Sequence, residues 1–123
     1  MTKQEAKIFL RDISRYPDEI DILENQIKTL PFMDRDNISK RIQKMEEDLT
    51  LGEQIISGIE NIDLRLVLRR RSLFNQTWKK IGEEMFLSNK TVMNYYDQAV
   101  QIFAEEWNRL KKRNKNQNSM KGY

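Results

Sequence analysis

Between residues 9 and 30 the apolar side chains return at alternating spacings of four and three: Phe9, Ile13, Tyr16, Ile20, Leu23, Ile27 and Leu30. That period lays one seam along an α-helix and would scatter the same residues over both faces of a strand. A second run repeats it with Ile38, Ile42, Met45, Leu49, position 52, Ile56 and Ile59, and there Gly52 fills an apolar slot, which weakens or bends the seam. Two such seams joined by a short segment fold back as an antiparallel hairpin, or they pair between two copies as a homodimer. Pro17 lies inside the first run and marks either a kink or the first turn of a second helix. Segment 31–36 (PFMDRD) reads as a loop, with Asp34 or Asp36 capping the next helix.

Four glycines and two prolines are too few to break the rest of the chain into strands and turns, and no segment alternates apolar with polar residues. The expected class is all-α. A helical hairpin or coiled coil is expected over 1–59 and a helix-turn-helix domain over 60–110. Residues 111–123 lack apolar periodicity and read as a frayed basic tail.

Cysteine and histidine are both absent, so disulfides, zinc fingers and thiol or imidazole catalysis are excluded. The carboxylates fall at helix-surface spacings among lysines and arginines. Neither a metal or cofactor site nor a nucleophile–base pair is expected, and the chain does not read as an enzyme. No apolar run reaches the roughly 18–20 residues that span a bilayer. The N-terminus, MTKQEAKIFLRD, lacks the apolar core of a signal peptide. A cytoplasmic protein without membrane contact is the expectation. The net charge of +3 conceals an asymmetry: residues 1–63 carry a net of −5 and residues 64–123 a net of +8. A basic half of this kind faces a polyanion.

The basic half holds the segment LRLVLRRRSLFNQTWKKIGEEMFLSNKTVMNYYDQAVQIF, residues 64–103. A helix over 60–73, with Ile62, Leu66 and Leu73 inward, ends in Arg69, Arg70 and Arg71. Positive charge there complements the helix dipole. Three adjacent guanidiniums splay over about 200–300° of helix and cannot all find internal partners, which points to phosphate. Thr77 caps a short helix over 78–85, packed through Trp78, Ile81 and Met85, with Gly82 allowing the next helix to approach. Lys79 and Lys80 lie outside. Ser88 caps a longer helix whose core face is Val92, Tyr95, Ala99 and Val100 or Phe103. Its opposite face gathers Asn89, Lys90, Thr91, Met93 and Asn94. In a helix-turn-helix such N-terminal residues enter the major groove. Asn pairs with adenine, Lys approaches guanine, and Thr or Met touches a thymine methyl. Tyr96, Gln98 and Ser88 are placed to meet phosphate.

The basic helix followed by TWKKIGEEMFLSNKTVMNYYDQAV resembles the C-terminal promoter-reading domain of bacterial sigma factors. More specifically, it is similar to the sigma-like regulators of the RinA/ArpU type from phages and prophages of Gram-positive bacteria. Ile81–Gly82 stands where the family usually has Ile-Ala, and Ser88, Val92 and Ala99 also match. The family's turn glycine is replaced by Phe86, so a remodelled turn is expected. The acidic base-reading residue common in sigma factors is missing. The resemblance implies binding to double-stranded DNA and activation of late phage genes, with RNA polymerase as a partner. Two other readings join DNA binding or protein binding to a helical hairpin: a small terminase-like packaging protein and a helical adaptor.

Overall fold

A computed structural model of the chain describes residues 1–121, and those residues form five helices and no strand. They are α1 Lys3–Ile27, α2 Phe32–Ser57, α3 Ile62–Ser72, α4 Trp78–Met85 and α5 Asn89–Lys121. The protein is all-α.

Helix α1 opens on a capping box: Thr2 Oγ1 accepts from the Glu5 amide at 3.1 Å, and the Glu5 carboxylate accepts from the Thr2 amide at 2.9 Å. The helix then runs through Pro17 as one element, with the proline exposed. The expected loop over 31–36 is not there. Helix α2 begins at Phe32, so the connection is only residues 28–31. Pro31, at φ −56° and ψ 149°, supplies the extended entry to the helix and makes no side-chain cap. Asp34 falls in the first turn, where it meets the free amides as a dipole partner instead of a cap. With so short a connection α1 and α2 pack on each other within one chain.

Gly52 fits the seam closely. A Cβ there would lie 2.7 Å from Cδ1 of Ile13 and 3.5 Å from the Phe9 ring, so a side chain at this position would require the end of Ile13 to shift. The missing methyl makes room for a tight crossing.

The core crosses the boundary between the hairpin and the basic half. Ala6, Leu10 and Ile13 of α1 join Ile55 and Ile56 of α2, Leu64 and Leu68 of α3, and Val100 and Phe103 of α5 in one buried cluster. Phe9 of α1 packs against Phe103 at 5.9 Å and edge-on against Trp107 at 4.8 Å, ring centre to ring centre. Helix α3 enters this core in a phase different from the expected one. Asn61 caps it by accepting from the Leu64 amide at 3.1 Å, and Leu64, Val67 and Leu68 turn inward. Ile62 is exposed and Leu66 only half-buried, because at about 100° per residue they stand on the far side of the helix from Leu64. The segment read as a frayed tail continues α5 to Lys121, while Gly122 and Tyr123 lie outside the described residues.

The N-terminal turns of α1 are pinned to α5 by charge. Lys3 Nζ and Lys7 Nζ both reach the Asp97 carboxylate, at 2.5 and 3.3 Å. The hydrogen bond from Lys3 holds the Asp97 carboxyl below its ordinary value, and the Thr2 amide does the same for Glu5. A depressed carboxyl contributes stability that is present above its unfolded value and lost as the pH falls through its folded one. Acidification below the usual carboxylate range is therefore expected to loosen the first turns of α1 before the core. Hydrogen exchange would show faster amides at residues 3–7 while the Phe103 region stays protected. Because these groups are solvent-exposed, the effect is small.

Candidate nucleic-acid interface

Helix α4 and the start of α5 are joined by a three-residue turn, residues 86–88. Thr77 caps α4 by accepting from the Lys80 amide at 3.2 Å, and Ser88 caps α5 by accepting from the Thr91 amide at 3.2 Å. Ile81 and Val92 meet Val67 in a small buried cluster, flanked by Trp78, Met85 and Leu87. The turn is not remodelled. Phe86 adopts the left-handed conformation itself, at φ 59° and ψ 42°, and the Phe86 and Leu87 amides both donate to the Gly82 carbonyl, the latter at 2.9 Å.

Two residues thus divide the work of closing the turn. Gly82 lets it approach: a Cβ there would sit 2.7 Å from the Leu87 carbonyl oxygen, which is backbone and has little room to yield. Phe86 bears the strain, about 1–2 kcal/mol for a residue with a Cβ, and its side chain is 94% exposed, so burial offsets none of it. Phe86→Gly is expected to raise the unfolding midpoint, by up to about 1 kcal/mol once the entropy of the glycine is set against the relieved strain. Gly82→Ala is expected to lower it by about 1–3 kcal/mol. Denaturant titration of both variants checks the pair. A neutral Gly82→Ala would mean that the turn has room to spare.

The arginine triplet behaves differently from expectation, because all three guanidiniums have internal partners. Arg69 donates to Ser57 Oγ at 2.7 Å. Arg70 donates to Glu84 of α4 and to Gln76 Oε1 at 3.4 Å. Arg71 donates to the Gln76 carbonyl at 3.0 Å and stacks over the Trp78 ring at 4.1 Å. The acceptors come from three places, Ser57 at the end of α2, Gln76 in the segment 73–77 after α3, and Glu84 of α4, which the geometry of α3 alone does not supply. Each guanidinium carries five donors, so capacity for a further acceptor is left on all three.

Helix α5 sorts the remaining candidates. Val92, Ala99, Val100 and Phe103 are buried. Lys90, Asn94 and Gln98, each four residues from the next, form an exposed stripe, with Asn89 and Met93 exposed beside it. Among the described residues, the side chains of Asn89, Lys90, Asn94 and Gln98 donate to and accept from no protein group. Thr91 is half-buried, and its hydroxyl is engaged by Ser88 Oγ at 2.9 Å. Lys79 and Lys80 are exposed on α4. Tyr96 does not join the stripe. It packs edge-on against Trp78 at 5.0 Å, and burial pushes its hydroxyl pKa up, against the pull of Arg71.

Tyr96 instead faces a cleft of about 590 Å³ between α1 and the α3–α4 corner. Lys7, Arg11 and Arg15 line it from α1, facing Arg71, Asn75 and Trp78, and no carboxylate lines it. The net charge of the N-terminal half conceals this wall, although the sequence carries its signal: cations recur at positions 3, 7, 11 and 15, every fourth residue. Residues 1–16 carry four cations and two acids, whereas the twelve acids over 17–63 set the sign of the whole N-terminal half.

No family model, curated protein or solved structure matches this chain.

Proposed function

We propose that this protein is a sequence-specific regulator of transcription. It binds double-stranded DNA as a helix-turn-helix, with the first turns of α5 in the major groove. The observation that carries the reading is the stripe of Lys90, Asn94 and Gln98 with Asn89 and Met93 beside it. Lys90, Asn94, Gln98 and Asn89 are hydrogen-bonding side chains left exposed, and unbonded among the described residues, on a capped helix that a tight turn holds against α4. The base-reading set is Asn89, Lys90, Met93 and Asn94, with Thr91 offering its methyl. The phosphate set is Lys79, Lys80 and Gln98, together with the unused donors of Arg69, Arg70 and Arg71, whereas the one hydroxyl donor of Ser88 is already given to Thr91. Activation of phage genes through RNA polymerase follows from the sigma-like resemblance of residues 64–103 and is proposed on that ground.

Selection from a random-sequence duplex pool tests the reading. A recovered consensus protected in a footprint, with affinity falling steeply as salt rises, supports it. Failure to bind any duplex at low salt overturns it in favour of a protein-binding adaptor. Binding by a ring of many subunits, seen as mass in solution, would transfer the function to DNA packaging.

A further inference from the structure

The cleft between α1 and the α3–α4 corner has the chemistry of a site. Its α1 wall is a run of cations at four-residue spacing, which keeps Lys7, Arg11 and Arg15 within about 80° of helix arc. From Lys7 to Arg15 the helix rises about 12 Å, roughly the axial rise of three phosphates along one strand of a duplex. The opposite wall offers Arg71, whose guanidinium is pre-oriented by the Trp78 ring and the Gln76 carbonyl, and Asn75 just ahead of the capped start of α4. Two of the wall's cations already pair with carboxylates outside the cleft, Lys7 with Asp97, which Lys3 shares, and Arg15 with Asp12 at 2.7 Å, and each keeps further N–H donors. Arg11 is exposed and pairs with no carboxylate among the described residues. The core holds this wall in register with α5, since Ala6, Leu10 and Ile13 of the same helix pack on Val100 and Phe103.

We infer that this cleft binds the sugar-phosphate backbone of the duplex that α5 reads, so that α1 serves as a second, sequence-independent arm of the DNA-binding surface. The inference rests on the proposed function and extends it to a helix that lies outside the helix-turn-helix. An acidic N-terminal half is thereby given a basic edge with a task. Contacts to phosphate position a protein on the duplex without reading sequence, and each phosphate neutralised adds about 0.9 to the slope of log affinity against log salt.

The test is the affinity of the full chain for a labelled mixed-sequence duplex, titrated between about 50 and 200 mM salt. Wild type is compared with Arg11→Ala, Arg15→Ala and the double variant. These are exposed helix positions at which alanine is well tolerated, and an unchanged melting curve confirms that the fold is retained. The expected result is a slope flattened by about 0.9 in each single variant and about 1.8 in the double, with the ratio of selected to random duplex unchanged. An unchanged slope in the double variant, with wild type binding normally, overturns the α1 arm and leaves the α5 reading standing. If instead inorganic phosphate or a nucleoside triphosphate stabilises the wild type against heat while the slopes stay equal, the cleft is a small-anion site and the backbone assignment is wrong. Absence of any duplex binding by the wild type removes the α5 reading and, with it, the arm.

Discussion

Phe103→Ala is expected to destabilise the whole chain by about 3–5 kcal/mol, a large part of the roughly 5–15 kcal/mol that holds a domain of this size together. Phe103 is fully buried where three parts of the molecule meet. Its ring faces Phe9 of α1 and Trp107 of its own helix, and the same cluster contains Ile56 of α2 and Leu68 of α3. Truncation leaves a void that helices pinned by their own ladders cannot collapse to fill. The unfolding midpoint should fall by about 10–20 °C. The shape of the transition matters as much as its position. Because α1 contributes to this core, the hairpin and the basic half should lose structure together in one cooperative step, both in the wild type and in the variant. Melting followed by circular dichroism and by Trp107 and Trp78 fluorescence provides the check. Two separate transitions, with only one moved by the substitution, would show that the hairpin folds by itself and rests on the rest without sharing its core.

That shared core explains which features were legible in the sequence. Local rules worked where the determinant is local. Thr77 and Ser88 cap α4 and α5 as their hydroxyls suggest, and the three-and-four spacing of Val92, Tyr95, Ala99 and Phe103 marks the inward face of α5. Local patterns mislead where the determinant is a neighbour remote in sequence. The inward face of α3 is chosen by α1 and α5, so Leu64 and Val67 are buried where Ile62 and Leu66 were expected. The arginine triplet looked unpaired because its partners, Ser57, Gln76 and Glu84, come from a preceding helix, a loop and a following helix. Net charge summed over half a chain hid the cations of α1, since a stripe is a property of one helix face. Phe86 shows the reverse. Its side chain argued against a left-handed turn, yet the Gly82 carbonyl and the close approach at Gly82 impose that conformation and the phenyl ring simply points to solvent.

The second large effect concerns recognition. Once a preferred duplex has been selected, Asn94→Ala and Lys90→Ala are each expected to erode the preference by about 1–3 kcal/mol. Lys90 and Asn94 stand one helical turn apart, so contacts to separate base pairs would combine roughly additively. The double variant should therefore lose about 2–6 kcal/mol of discrimination, from about thirty-fold to more than ten-thousand-fold in the ratio of selected to random affinity. Stability should stay close to wild type, since both side chains are exposed and neither bonds to the protein among the described residues. Lys79→Ala with Lys80→Ala provides the contrast. Those side chains lie on α4, away from the stripe, and as phosphate contacts they should weaken selected and random duplexes alike while flattening the salt dependence. Competition binding with both duplexes in one tube separates the outcomes. If Asn94→Ala and Lys90→Ala lower both affinities equally, the stripe is itself only a backbone contact. Sequence reading would then have to be sought in Asn89 and Met93 beside the stripe, or in the shape of the DNA.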